Sequence, residues 1–291
     1  MFKGSIVALV TPFKNNKIDE EALKNLVEFH IKNNTSGIVP VGTTGESATL
    51  DYEEHNKVIE LVVKYANKRI PVIAGTGSNS TAEAIMLTEH AKKVGADASL
   101  QVSPYYNKPT QKGLYEHFRT IAETVDIPII LYNIASRTGV NIEPETVSKL
   151  ARDCKNIIGI KEASGSLEQM ARIKLLCPKD FILLSGDDAL TLPVLSIGGV
   201  GVISVVANII PKDVARLIEE FEKGNLNVAQ EIFYRMFPLI KAMFLETNPI
   251  PIKTAMSLLG LCSSEIRLPL TSMSQENLEK LKKALKDYGL L

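Results

Sequence analysis

Lys161 is the side chain in this sequence with the clearest capacity for covalent chemistry. It closes the run Ile157-Ile158-Gly159-Ile160, which carries no other charge. Side chains alternate along a strand, so Lys161 shares a face with Gly159 and Ile157 while Glu162 points the other way. Gly159 would leave room below a long side chain. A lysine at a strand end can simply snorkel into solvent. The other reading is a Schiff base with a carbonyl compound, which only a neutral amine can form. An ordinary lysine amine is almost wholly protonated at neutral pH. Such chemistry therefore calls for apolar walls that disfavour the ammonium.

Hydroxyl groups fall at comparable places. Thr43 and Thr44 lie in Gly42-Thr43-Thr44-Gly45-Glu46-Ser47, Tyr106 in Ser103-Pro104-Tyr105-Tyr106-Asn107, and Tyr132 directly before Asn133. Singly, Tyr132 reads equally well as a core aromatic, and the threonines as residues that favour strands and turns. Together they supply donors and acceptors around one amine, and dehydrating a carbinolamine needs such a proton relay. Thr44 with nearby loop amides suits a carboxylate. Arg137, within Ser136-Arg137-Thr138-Gly139, is either an exposed loop arginine or a two-pronged clamp for a second carboxylate.

Other patterns carry less. Gly75-Thr76-Gly77-Ser78-Asn79-Ser80 lacks the third glycine of a dinucleotide fingerprint, and no Lys-Ser/Thr pair follows Gly42 to make a phosphate loop. None of the four histidines, at 30, 55, 90 and 117, is spaced for metal binding with another histidine or a cysteine, so we expect no metal.

These residues need a scaffold that aims them at one place. Eight apolar, β-branched runs recur at residues 6–10, 37–41, 71–74, 98–102, 127–132, 157–161, 181–185 and 200–205, nearly continuous in apolar character as strands buried on both faces should be. Between them, residues 19–32, 52–66, 81–93, 113–124, 144–151 and 167–176 place apolar side chains at helical spacing. Asp51 and Ser80 stand as start signals for two of these helices. Alternation of this kind implies a parallel sheet with crossover helices, and eight units favour an α/β fold of the closed (β/α)8, or TIM, barrel type. Barrel chemistry gathers at the C-terminal strand ends, where Thr43, Thr44, Tyr106, Tyr132, Arg137 and Lys161 all fall. After Pro211 only helical pattern remains, at residues 213–222, 228–244, 252–259 and 276–288. The sequence therefore divides into a barrel over 1–222 and a C-terminal helical extension over 223–291, packed on the barrel.

Composition narrows the classes. Of the 291 residues 45% are hydrophobic, and Lys+Arg and Asp+Glu balance at 33 each, which gives no electrostatic case for nucleic acid or an anionic membrane. Residues 189–211 carry no charge and are long enough to span a bilayer. Pro193, Gly198, Gly199, Gly201 and Asn208 interrupt them, and they divide into a short buried helix and a buried strand. The start lacks the pattern of a secretion signal. Three widely spaced cysteines, at 154, 177 and 262, fit the reducing cytoplasm.

Taken together, these residues resemble the dihydrodipicolinate synthase family, within the pyruvate-dependent class I aldolase superfamily of N-acetylneuraminate lyase. The resemblance runs from Gly4-Ser5-Ile6 and Thr11-Pro12-Phe13 through Gly42-Thr43-Thr44-Gly45-Glu46 and Tyr132-Asn133-Ile134-Ala135-Ser136-Arg137-Thr138-Gly139 to Asn248-Pro249-Ile250-Pro251-Ile252-Lys253 and Leu268-Pro269. It implies a lyase that condenses pyruvate with L-aspartate 4-semialdehyde on the diaminopimelate route to lysine, with no cofactor beyond the covalent imine. Lys161 would form that imine. Tyr132, Thr43 and Tyr106 would relay protons, Tyr106 from a neighbouring subunit. Thr44 would bind the pyruvate carboxylate and Arg137 that of the semialdehyde, with Gly186 and Ile203 lining the pocket through backbone groups.

The resemblance further implies a homotetramer built as a dimer of dimers. It also implies an allosteric L-lysine site at Ser47, Ala48, His55, Asn79, Glu83 and Tyr105. Tyr52 stands where lysine-sensitive bacterial relatives often have histidine. Two rivals stay in view. One is a lyase of N-acetylneuraminate or a 2-keto-3-deoxy sugar acid, against which Arg137 and Thr43 argue. The other is a barrel that only binds, against which the complete set of hydroxyls and the lysine argue.

Overall fold

The computed structural model of the protein describes residues 2–291. Eight parallel strands lie at its centre: β1 (Gly4–Ala8), β2 (Gly37–Val39), β3 (Ile73–Gly75), β4 (Ala98–Val102), β5 (Ile129–Asn133), β6 (Ile157–Glu162), β7 (Ile182–Ser185) and β8 (Gly201–Ser204). Their hydrogen-bonded order is β2-β1-β8-β7-β6-β5-β4-β3. A parallel bridge between Ile38 and Val72 joins the two ends, so the sheet closes into the expected (β/α)8 barrel.

A helix follows each strand: α1 (Glu20–Lys32), α2 (Tyr52–Ala66), α3 (Thr81–Val94), α4 (Gln111–Thr124), α5 (Pro144–Asp153), α6 (Leu167–Leu176), α7 (Thr191–Ser196) and α8 (Pro211–Glu222). Asp51 and Ser80 cap α2 and α3 as expected, accepting from the amides of Glu54 and Glu83. The helix α8 begins at Pro211, two residues before its expected start, because a proline in the first turn sacrifices no hydrogen bond. The uncharged stretch 189–211 does split into a short helix and a buried strand. Among the described residues no helix is long and apolar enough to cross a membrane.

Strand alternation sorts the core into two layers. Ile6, Val39, Ile73, Leu100, Ile130 and Ile203 fill the barrel interior. Val7, Ile38, Leu131, Ile160 and Leu183, each one residue away in register, pack outward beneath the helices. Before α1, Phe13–Lys14 and Lys17–Ile18 form a two-stranded hairpin. Its turn, Asn15-Asn16, has positive φ at both residues, as a tight hairpin turn requires.

Three further helices, α9 (Leu226–Ala242), α10 (Ile250–Leu258) and α11 (Gln275–Tyr288), complete the chain. Ala229 and Phe233 of α9 pack on Leu217 of α8, and the Tyr288 hydroxyl donates to Asp213 at 2.6 Å. Lys253 of α10 forms an ion pair with Glu46, both side chains almost fully buried, with nitrogen and oxygen 2.5 Å apart. The Lys253 amine also lies 4.1 Å from the centre of the Phe13 ring. Burial pulls its pKa below the ordinary lysine range, against the opposing pull of the Glu46 carboxylate. This pair pins the segment that connects α9 to α10 against the C-terminal end of β2.

Candidate active site

The strands β5 and β6 pair with Tyr132 opposite Lys161 and Asn133 opposite Glu162. Tyr132 and Lys161 therefore share one face. Both are buried, and the lysine amine lies 4.1 Å from the centre of the tyrosine ring. Space for the lysine does not come from Gly159 as expected. A Cβ at Gly159 would lie 2.6 Å from the Cβ of Ile182, so that glycine is required by the close approach of β7. Gly186 is the residue beside the lysine: a Cβ there would reach within 3.2 Å of Lys161 Cε. Ile203 lies in the same interior cluster as Tyr132.

The opposite face carries residues the sequence reading did not assign. Glu162 is fully buried behind the lysine. Its carboxylate accepts from Asn133 Nδ2 at 3.0 and 3.2 Å, from the Ser164 amide at 2.7 Å and from Gln169 Nε2 at 2.9 Å. Asn133 Oδ1 accepts from the Ile142 amide. This network clamps the ends of β5 and β6 to one another and to α6. A second buried acid, Asp188, accepts from the amides of Val205 and Val206 and shapes the end of β8. Burial pushes its carboxyl above the usual range, while those amides and the Ser204 hydroxyl pull it down. Adjacency to Lys161 and to the end of β7 was the available signal for both acids.

A cavity of about 620 Å³ opens at this end of the barrel. Thr43, Tyr132, Ile134, Arg137 and Asn248 line it. Lys161, Thr44, Gly186 and Ile203 are not in its wall; Lys161 adjoins it through the Tyr132 ring. Thr44 is buried and its hydroxyl accepts from Asn248 Nδ2 at 3.0 Å. Arg137 sits on a single helical turn, Ala135–Thr138, and its guanidinium donates to the Asn248 carbonyl oxygen at 3.0 Å. In the chain on its own Tyr106 is not brought to this site. It is 91% exposed, at a positive φ that a tyrosine rarely adopts.

Of the residues expected for lysine binding, Ser47, Ala48, His55, Glu83 and Tyr105 line the same cavity, together with Tyr52. Asn79 adjoins them and donates to the Tyr105 carbonyl at 3.2 Å. Hydrogen bonds from Ser78 and Tyr52 hold the Glu83 carboxyl below the usual range, and Glu83 in turn raises the Tyr52 hydroxyl. Burial holds the His55 ring down to about 4.

Residues 1–288 match the model of the Dihydrodipicolinate synthetase family. The chain is 62% identical over the full length of both proteins to the 4-hydroxy-tetrahydrodipicolinate synthase of Endomicrobium trichonymphae. The crystal structure of dihydrodipicolinate synthase from Aquifex aeolicus superposes with a TM-score of 0.98 at 56% identity, covering 99% of each chain. That of the enzyme from Cyanidioschyzon merolae with lysine bound superposes with a TM-score of 0.97 at 47% identity, covering 100% of this chain and 99% of the other.

Proposed function

The chain belongs to the dihydrodipicolinate synthetase family, and we propose that it is a 4-hydroxy-tetrahydrodipicolinate synthase, a lyase that condenses pyruvate with L-aspartate 4-semialdehyde on the diaminopimelate route to lysine. The observation that carries the reading is the Lys161 amine lying over Tyr132, which faces a cavity shared with Thr43 and Arg137. In this reading the amine adds to the pyruvate ketone. Loss of water, with protons relayed by Tyr132, Thr43 and Tyr106, leaves the imine. The imine nitrogen withdraws electrons as the pyruvate methyl group loses a proton, and the resulting enamine carbon attacks the aldehyde. The semialdehyde's amino nitrogen then adds to the imine carbon, closing the ring and releasing Lys161. The protonated imine is itself the electron sink, so the sequence of steps needs no cofactor. Thr44 serves the pyruvate carboxylate and Arg137 the semialdehyde carboxylate, with backbone groups of Gly186 and Ile203 on the pocket wall.

The assay is condensation of the two substrates, coupled to NADPH oxidation by the reductase that consumes the product. Robust turnover is expected. Its absence with folded protein, together with cleavage of N-acetylneuraminate or a 2-keto-3-deoxy sugar acid, would transfer the reading to those lyases.

The remaining assignments belong to the same reading. Tyr106, exposed on one chain, serves the site of a second copy in a homotetramer made of two tight dimers. Mixing Lys161→Ala with Tyr106→Phe chains should then restore activity, to about a quarter of the wild-type rate if two-fold pairs form at random. L-lysine binds at Ser47, Ala48, His55, Asn79, Glu83 and Tyr105, where Glu83 offers a carboxylate to its ammonium groups. Rates unchanged at millimolar lysine would remove that assignment. Residues 1–222 act as the barrel and 223–291 as its extension. The three unpaired cysteines suit work in the cytoplasm.

A further inference from the structure

Asn248 touches both of the groups assigned to substrate carboxylates, from a segment outside the barrel strands. Its side-chain Nδ2 donates to the Thr44 hydroxyl oxygen at 3.0 Å, and its backbone carbonyl accepts from Arg137 at 3.0 Å. Asn248 is itself 6% exposed and lines the cavity. A threonine hydroxyl has one proton to give. To hold a carboxylate Thr44 must donate that proton to the substrate, so its partner on the protein side must be a donor. Asn248 Nδ2 is such a donor, and by occupying a lone pair of Thr44 Oγ1 it leaves the hydroxyl proton free to turn toward the cavity. The Asn248 Oδ1 atom has no partner, which leaves the amide serving Thr44 through its nitrogen alone.

We infer that Asn248 is a positioning residue: it sets the direction of the Thr44 hydroxyl proton with its side chain and holds Arg137 with its backbone, so that one residue of the C-terminal segment aligns the receptors for both substrates. The inference rests on the proposed condensation. It accounts for the ion pair between Glu46 and Lys253, which fixes the start of α10 just beyond Asn248. It also accounts for the join between the motif beginning at Gly42 and the motif beginning at Asn248, which meet at this hydrogen bond between residues 204 positions apart.

The test compares two substitutions of unequal shape. Asn248→Asp keeps the shape but replaces the donor with an acceptor, which draws the Thr44 proton away from the cavity and sets a negative charge beside two carboxylate receptors. Asn248→Ala removes the side chain and keeps the carbonyl that holds Arg137. A purely structural asparagine would lose stability and kcat in both variants without separating the two KM values; a positioning one moves the pyruvate KM ahead of the semialdehyde KM. We expect Asn248→Ala to raise the pyruvate KM about tenfold with a much smaller change in the semialdehyde KM. Asn248→Asp should raise the pyruvate KM further and the semialdehyde KM as well. Asn248→Ser, smaller yet able to donate, should fall between wild type and Ala and stands in if Ala does not fold. Asp milder than Ala, or a loss confined to kcat with both KM values unmoved, overturns the inference. Wild-type protein that folds but does not condense pyruvate overturns the functional reading instead.

Discussion

At the ends of β5 and β6, Lys161 and Tyr132 point into the barrel, while Glu162 and Asn133, one residue further on, point out toward the helices. The inward pair is sparsely held. The amine rests over the tyrosine ring, 4.1 Å from its centre. The outward pair is saturated: the Glu162 carboxylate alone accepts from Asn133, Ser164 and Gln169. The same backbone thus carries a sparsely held pair on its inner face and a fully bonded one on its outer face. Chemistry needs free valence and direction; holding the strand ends needs every buried donor and acceptor matched.

The contrast can be broken most decisively at Lys161. Lys161→Ala should lower turnover on the order of 10³-fold or more and abolish the pyruvyl mass gained on borohydride reduction, with the melting temperature nearly unchanged. Substantial residual turnover would remove the covalent mechanism and the inward half of the comparison with it. Tyr132→Phe keeps the ring under the amine and deletes the hydroxyl. Turnover should fall on the order of 10²-fold, while the protein still traps pyruvate on prolonged borohydride treatment.

Glu162→Ala should reverse the pattern. It strands the buried donor at Asn133 and the part-buried ones at Gln169 and Ser164, which should cost about 3 kcal/mol and lower the melting temperature by about 6–12 °C. Imine trapping should persist below that lowered temperature. A variant as stable as wild type but unable to form the imine would show that Glu162 belongs to the chemistry.

A separate effect is expected from pH. Burial holds the rings of His30 on α1 and His117 on α4 down to about 3 and about 4. The unfolded chain takes up protons at these residues as pH falls below about 6.5, whereas the folded chain does so only near 3 to 4. Stability should therefore decline as pH falls from about 6.5 toward 4, and recover on raising the pH. Melting temperature against pH measures this. His117→Gln should flatten part of the slope.

Much of this architecture was legible from one dimension. The eight apolar runs and the helical spacing between them specify a parallel barrel, and capping side chains such as Asp51 and Ser80 mark helix starts where they occur. Lys161 was legible because a lone charge ending an apolar strand has few explanations. The reading of Gly159 was displaced, since sequence shows an absent side chain but not which neighbour occupies its space; here it is Ile182 of β7. Asn248 was visible only as part of an Asn-Pro motif, with nothing to say what it touches.

Period and residue type, then, determined the strands, the helices and the faces they turn inward, because burial of apolar surface acts locally and repeats along the chain. Tertiary structure alone decided the pairings: Asn248 with Thr44 and Arg137, Lys253 with Glu46, Tyr132 with Lys161. Hydrogen bonds and ion pairs depend on distances of a few ångströms and on direction, and those exist only once the barrel has closed and the last helices have packed on its side.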